Sequence, residues 1–133
     1  QYKLENGKYV VPAPLEEQLQ LSPYILQIYV DGANKPYNAA LVVPDQPAVE
    51  KWAREQGLSG SFEDLVKRDE VRKLIAGELD RYAKDFKGYE RVREFALITE
   101  EFSTDNNFLT PSLKLKRRVV VDTYGELLDG LWK

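Results

Sequence analysis

Two runs of apolar residues in the middle of the chain predict a pair of β-strands. Residues 25–30 and 37–43 are rich in β-branched and aromatic side chains, and both runs are nearly continuous. The segment between them, residues 31–36, contains Asp, Gly, Asn and Pro, which favour turns. We therefore expect a hairpin of central, covered strands. Alternation of charged and apolar residues at 91–98 predicts a third strand that pairs with this hairpin.

Apolar residues at helical spacing predict helices around this sheet. The clearest helix is Glu70–Phe86, in which Val71, Ile75 and Leu79 fall on one face. The other predicted helices are Leu15–Leu21 after a proline-rich start, a helix between Pro47 and Gly57, a short helix capped by Ser61, and Leu115–Trp132 with Val120, Tyr124, Leu127, Leu128 and Leu131 on one side.

The chain begins with a further turn signal. Asn6-Gly7 lies between two weakly alternating segments, and Asn-Gly favours a tight hairpin because both residues tolerate positive φ. The whole pattern predicts one α+β domain over residues 1–133, with a small sheet of about three strands flanked by helices and a short N-terminal hairpin.

Composition narrows the chemistry that this domain can carry. The chain has no Cys and no His, so disulfides and thiolate or imidazole metal sites are excluded, and no metal ligands are predicted. The usual general base near neutral pH is also missing, which makes self-contained catalysis an unfavoured interpretation. The net charge of -3 argues against a nucleic-acid binder. No apolar run has the length of a membrane span, and we expect a cytoplasmic module that reaches a membrane only peripherally, through a partner domain.

The most distinctive stretch is a basic run near the C-terminus. Asp105-Asn106-Asn107 and Pro111 predict an irregular loop, followed by Lys114, Lys116, Arg117 and Arg118. Lys114 is expected where this loop meets the start of the last helix, so its long cationic side chain can project into a partner's cleft. The alternative interpretation is a solvated helix face.

Two motifs resemble those of a known enzyme family. Thr110-Pro111-Ser112-Leu113-Lys114-Leu115-Lys116-Arg117-Arg118 resembles the last signature motif of the AMP-forming acyl-CoA synthetases, in the Leu-Lys-Leu-Lys form common in long-chain fatty acid enzymes. Asn6-Gly7-Lys8-Tyr9-Val10-Val11-Pro12-Ala13-Pro14-Leu15-Glu16 resembles the family's glycine-containing motif, just past the hinge between its large and small domains. Together the motifs span essentially the whole chain.

The resemblance implies a role within a larger enzyme. In this family a carboxylic acid reacts with ATP to give an acyl-adenylate and pyrophosphate, and coenzyme A then displaces AMP. The large N-terminal adenylation domain binds the fatty acid, ATP and Mg²⁺, and the small domain rotates to present one face for each step. The resemblance thus implies the C-terminal mobile subdomain of a long-chain fatty acid–CoA ligase, inactive in isolation.

The same resemblance assigns expected roles to individual residues. Lys114 matches the catalytic lysine, with Lys116 as the rival candidate; many relatives have glycine where this chain has Leu113. Gly7 matches a glycine that lets the backbone lie close to the pantetheine arm of coenzyme A, although a hairpin turn alone also explains it. Lys8 is a candidate contact for the nucleotide part of coenzyme A or a solvated lysine.

Three remaining features carry alternatives. Glu16 matches the motif, but a simple acid in the first turn of a helix also explains it. Tyr9 stands where some short-chain relatives have Arg, which puts a phosphate contact there in doubt. The aromatic and basic segment 82–93 is interpreted as core and strand rather than a nucleic-acid platform, because its aromatic residues fit the inward stripe. Other adenylate-forming enzymes, such as aryl-CoA ligases or adenylation domains, and a non-catalytic interaction module are the alternative functions.

Overall fold

A computed structural model describes residues 1–133 and contains five strands and five α-helices. In chain order they are β1 (Tyr2–Lys3), β2 (Tyr9–Val10), α1 (Pro12–Leu19), β3 (Ile25–Asp31), β4 (Asn38–Pro44), α2 (Gln46–Glu55), α3 (Phe62–Leu65), α4 (Asp69–Tyr82), a 3₁₀ turn (Gly88–Glu90), β5 (Val92–Leu97) and α5 (Arg117–Leu131). The predicted α+β fold, with a three-stranded sheet and an N-terminal hairpin, is confirmed.

The central strand β4 organises the main sheet. It pairs antiparallel with β3 and parallel with β5, and α2, α3 and α4 form the crossover that the parallel pairing requires. Every residue of β4 is buried, which explains why its sequence is a continuous apolar run and not an alternating one. The expectation of a covered hairpin and a third strand that pairs with it is confirmed.

Each face of the sheet is covered by a different part of the chain. Helices α1 and α4 cover one face, where Leu15, Leu19, Ile75 and Leu79 pack on alternate residues of β3 and β4. The other face is covered by α5 and by the long connection after β5, through Phe102, Phe108, Val120 and Leu128. A smaller cluster under α2 and α3 centres on Val49, Ala53, Phe62, Leu65 and Val71.

Three predicted helix boundaries are wrong. Helix α1 begins at Pro12, because proline is favoured at the first helical position, so Glu16 lies beyond the first turn. Helix α4 ends at Tyr82 and not at Phe86. Helix α5 begins at Arg117 and is kinked at Tyr124, and Leu127 on it is exposed and not inward-facing.

One buried amide attaches the N-terminal hairpin to the main sheet. Asn38, which is fully buried, accepts a hydrogen bond from the hydroxyl of Tyr2 and donates one to the carbonyl of Glu90 at 2.7 Å. Because both ends of the amide are satisfied, the hairpin and the turn before β5 are tied to the first residue of β4.

None of the five helices has both the length and the apolar composition that a bilayer-spanning segment needs.

Gly32 provides a test of this attachment. A Cβ atom on Gly32 would lie 2.4 Å from Oδ1 of Asn38 and 2.9 Å from Cδ2 of Leu4. We expect Gly32→Ala to lower the free energy of unfolding by about 1–3 kcal/mol, because the buried neighbours must shift. Chemical denaturation measures the change.

The matched control is Gly77→Ala, at an exposed position inside α4 where a new Cβ meets nothing. There alanine should raise the free energy of unfolding by about 1 kcal/mol through its higher helix propensity. Equal effects at both positions would contradict the close packing around Gly32.

Candidate functional site

The loop that precedes the basic run is built by local hydrogen bonds. Asn106 accepts hydrogen bonds from the backbone amides of Ser103 at 2.9 Å and Phe108 at 3.3 Å, and its own side chain donates to the carbonyl of Glu101. The Asp-Asn-Asn segment therefore forms a loop, as predicted, and the side-chain amide replaces regular backbone pairing. Phe108 follows directly and is buried against the sheet, which anchors the loop.

Lys114 lies in a closed turn, residues 109–115, that we call the lysine turn. A β-bridge between Leu109 and Leu115 closes its neck. The amide of Thr110 donates to the carbonyl of Lys114 at 2.8 Å, and the amide of Lys114 donates to Oγ1 of Thr110 at 3.1 Å. The prediction that Lys114 adjoins the start of the last helix is wrong, because the bridge holds Leu115 outside the helix and α5 begins only at Arg117.

The two candidate lysines differ in their surroundings. Nζ of Lys116 donates to the side-chain carbonyl of Asn107 at 2.5 Å, and its backbone amide donates to the carbonyl of Phe108. The Lys114 side chain is exposed and its ammonium group has no hydrogen-bond or ion-pair partner in the chain. Of the two candidate lysines, Lys114 is therefore the one whose ammonium group is unpartnered within the chain.

Leu113 has a backbone conformation that favours glycine. Its φ is 65°, in the left-handed region that a residue with a Cβ adopts at a cost of about 1–2 kcal/mol. Its side chain is also 70% exposed, so the fold gains little from burying it. The lysine turn therefore carries backbone strain at the residue before Lys114.

Arg117 connects the lysine turn to the centre of the domain. Its guanidinium group forms an ion pair with the buried carboxylate of Glu16, donates to the carbonyl of Val30 at 3.2 Å, and lies 5.2 Å from the ring centre of Tyr29. Glu16 also accepts a hydrogen bond from the amide of Val30 at 2.8 Å. The interpretation of the basic run as a solvated helix face thus fails for Arg117, whereas Arg118 is exposed.

Burial dominates the electrostatics of this cluster. Loss of solvent raises the pKa of Glu16, and the charge of Arg117 together with the hydrogen bond from Val30 opposes that shift. Burial and the neighbouring carboxylate of Asp31 raise the pKa of Tyr29, so its ring stays neutral beside the guanidinium group. Glu16 is therefore not the simple first-turn acid that its position in the sequence suggested.

A groove of about 470 Å³ runs between α1 and the lysine turn. Its lining includes Glu16, Gln20, Ile28, Leu113 and Lys114. No group of three acidic side chains is arranged to hold a metal ion. The groove therefore offers one free ammonium group beside an anchored carboxylate–guanidinium pair.

Gly7 forms the turn of the N-terminal hairpin. Its φ is 87°, and a Cβ placed on it would meet nothing within 4 Å. Inside this chain the glycine is therefore required only by the backbone conformation. The side chain of Tyr9 on the same hairpin is 60% exposed.

A second groove, of about 270 Å³, opens beside the hairpin and shares no lining residue with the first. Asn6, Tyr37, Tyr89, Arg91 and Arg93 line it. Lys8 extends over the ring of Tyr89 with its ammonium group 5.7 Å from the ring centre, and the guanidinium group of Arg93 lies 4.9 Å from the ring centre of Tyr37. The sequence analysis interpreted the segment that contains Tyr89, Arg91 and Arg93 as core and strand, and therefore did not predict this cluster.

The chain matches one family model along its whole length. The model of the AMP-binding enzyme C-terminal domain covers residues 1–133. The chain is 37% identical to long-chain-fatty-acid–CoA ligase 1 of Cavia porcellus over 134 residues, which cover 98% of this chain and 19% of that protein. It spans about a fifth of the length of the curated relatives it matches.

Two solved structures share the fold. The adenylation domain of a carboxylate reductase from Mycobacterium chelonae superimposes with a TM-score of 0.80 at 32% identity, covering 98% of this chain and 19% of that one. The A-PCP didomain of carboxylic acid reductase from Segniliparus rugosus, in complex with AMP, has a TM-score of 0.78 at 28% identity and covers 96% of this chain and 16% of its own.

The strain at Leu113 leads to a stability prediction. Leu113→Gly should raise the free energy of unfolding by up to about 1 kcal/mol, because glycine adopts positive φ without a steric penalty. Ser112→Gly is the control: its backbone is outside the positive-φ region, so glycine should destabilise the turn. Denaturant titration of both variants decides the matter, and destabilisation by both would contradict strain at residue 113.

The raised pKa of Glu16 predicts a pH-dependent stability. Between the ordinary value of 4.5 and the raised pKa, the folded chain binds more protons than the unfolded chain, so its stability falls as the pH rises. The stability of the wild type relative to Glu16→Gln should therefore decline as the pH rises above about 4.5 and then level off.

Glu70→Gln should show the opposite pH dependence of stability in the same experiment. A hydrogen bond from Arg68 lowers the pKa of the exposed Glu70, so the wild type should gain stability over Glu70→Gln as the pH rises towards 4.5. Denaturation curves across the acid range measure both differences. A pH-independent difference for Glu16→Gln would show that its carboxyl titrates normally.

Proposed function

The chain belongs to the AMP-binding enzyme C-terminal domain family, and we propose that it is the mobile C-terminal subdomain of a long-chain fatty acid–CoA ligase. The observation that carries this proposal is the lysine turn, which presents one unpartnered cation on a closed and anchored turn. Identity of 31–37% to several long-chain fatty acid ligases, across nearly the whole chain, supports the choice of substrate class.

The proposed enzyme runs two half-reactions. A fatty acid carboxylate attacks the α-phosphorus of ATP, and the bond to pyrophosphate breaks, which leaves an acyl-adenylate. The thiol of coenzyme A then attacks the acyl carbon, loses its proton, and displaces AMP to form the thioester. Mg²⁺ and most contacts to ATP are assigned to the large domain of the proposed enzyme.

Lys114 is proposed to act in the first half-reaction. The attacking carboxylate and the α-phosphate are both anionic, and an ammonium group placed between them stabilises the transition state. A point charge on a flexible stem suits a group that must enter and leave a cleft. The free ammonium group of Lys114 and the engaged ammonium group of Lys116 support this order of the two candidates.

The hairpin face is proposed to act in the second half-reaction. The open surface at Gly7 gives room for the pantetheine arm of coenzyme A to pass close to the backbone. The groove beside it is lined by Arg91, Arg93 and Tyr89 and is reached by Lys8, and these side chains suit the phosphates and the adenine ring of coenzyme A.

A second candidate is the adenylation domain of a carboxylic acid reductase. The superposition at a TM-score of 0.80 and 32% identity favours it as the alternative. The first half-reaction would be the same for both candidates. Thioester formation with free coenzyme A distinguishes the two candidates, because this step is required of the proposed ligase.

The lysine assignment is tested in the full-length protein that carries this chain. With a long-chain fatty acid and ATP, Lys114→Ala should slow pyrophosphate release by about a hundredfold or more, because the transition-state charge is left unbalanced. Thioester formation from supplied acyl-adenylate should be unchanged. Lys116→Ala is the matched control, and a larger loss of pyrophosphate release in that variant would transfer the role to Lys116.

The glycine assignment requires a variant that keeps the turn. Gly7→Asn retains a residue that tolerates positive φ but adds a side chain, and it should slow thioester formation by about tenfold or more while pyrophosphate release continues. Gly57→Asn is the control, since Gly57 also has positive φ and an open Cβ position. If Gly7→Asn leaves thioester formation intact, Gly7 serves only the hairpin turn.

A further inference from the structure

We propose that Glu16 is a positioning residue that holds Lys114 in place for adenylation by fixing Arg117. This inference rests on the proposed function, because it assigns Glu16 a part in the same half-reaction. Glu16 lies on α1, and Arg117 is the first residue of α5, so the contact spans 101 positions of the chain. It joins the two motif-bearing ends of the domain.

Arg117 is held more tightly than a surface cation. One guanidinium nitrogen binds the carboxylate of Glu16, the other donates to the carbonyl of Val30, and the plane lies near the ring of Tyr29. Glu16 is held in turn by the amide of Val30. Arg117 is therefore fixed to a buried residue of β3, the strand beside the central one.

The distance along the chain makes this anchor relevant to Lys114. Only Leu115 and Lys116 separate Lys114 from Arg117, and Leu115 forms the bridge that closes the lysine turn. A shift of Arg117 is therefore transmitted directly to the neck of the turn. Because an error of about 1 Å in a catalytic group reduces rates by about a hundredfold, this anchor is suited to control the first half-reaction.

The energetics favour positioning over stability as the role of the pair. Taking a carboxylate out of water is costly, and a buried ion pair contributes little net stability compared with apolar residues of similar size. Glu16 is 7% exposed and burial is the largest cause of the raised pKa of its carboxyl group, whereas the Arg117 side chain is partly exposed. What an apolar pair lacks is the directional geometry of a carboxylate and a guanidinium group.

The test compares two conservative variants with two neighbouring controls in the full-length protein. Glu16→Gln keeps an acceptor for the amide of Val30 but removes the charge, and Arg117→Lys keeps the charge but loses the two-nitrogen geometry. Glu17→Gln and Arg118→Lys make the same chemical changes at adjacent exposed positions. Pyrophosphate release and thioester formation from supplied acyl-adenylate are measured separately for all four.

We expect Glu16→Gln and Arg117→Lys to lower the maximal rate of pyrophosphate release by about tenfold or more, with little change in KM for the fatty acid. Thioester formation should stay within about twofold of the wild type for both variants. Both controls should behave as the wild type. In the Lys114→Ala background, Glu16→Gln should cause no further loss, because its effect passes through Lys114.

Hydrogen exchange gives a readout that does not depend on catalysis. The amide of Thr110 is bonded to the carbonyl of Lys114 across the lysine turn, and it should exchange faster in Glu16→Gln, whereas the amides of β4 keep wild-type protection.

The outcomes separate the two claims. Equal losses in both half-reactions, an additive loss in the double variant, or unchanged exchange at Thr110 would overturn the positioning role of Glu16. Wild-type pyrophosphate release by Lys114→Ala would instead overturn the proposed function of Lys114.

Discussion

The complete burial of β4 is the constraint on which the rest of the structure depends. A strand buried on both faces must be covered twice, and the chain covers one face with α1 and α4 before β5 is complete. The other face is left to the residues that follow β5. The long connection after β5 is therefore attached to the sheet. Gln27 on β3 exchanges hydrogen bonds of 2.6 and 2.8 Å with the backbone of Phe102. The lysine turn directly follows a segment that is part of the core.

Buried polar side chains then fix the outer motifs to this core. Asn38 at the start of β4 binds the N-terminal hairpin, and Glu16 binds Arg117, the first residue of α5. Each side-chain oxygen and nitrogen atom of Asn38 and Glu16 has a hydrogen-bond partner, as buried polar groups need to avoid a large desolvation penalty. In each case the group that is fixed carries a candidate functional residue, Gly7 or Lys114. The polar contacts therefore set the geometry of the two faces, whereas the apolar clusters set the fold.

Local patterns in the sequence were sufficient to predict the helices and strands but not the tertiary contacts between them. Apolar runs and helical spacing predicted the strands, the hairpin and the helices, and the motif resemblance predicted the family. The Glu16–Arg117 contact could not be predicted, because its partners are far apart in sequence and each has a plausible local role. The lysine turn was placed in a helix start because Leu115 and the residues after it keep helical spacing; the bridge to Leu109 is a tertiary contact that this spacing does not reveal. The leucine at position 113 was visible in the sequence, but the positive φ that makes it costly was not.

The two anchors also restrict how such a domain can serve two half-reactions. The hairpin is tied to β4 and the lysine turn to β3, and these strands are neighbours in one sheet. Movement of the hairpin away from β4, or of Arg117 away from β3, would break a partly buried hydrogen bond, which costs about 1–3 kcal/mol when a buried partner is left unsatisfied. The two grooves beside them share no lining residue. If the two half-reactions of the proposed enzyme use these two features in turn, these anchors favour rotation of the whole domain over loop rearrangement within it.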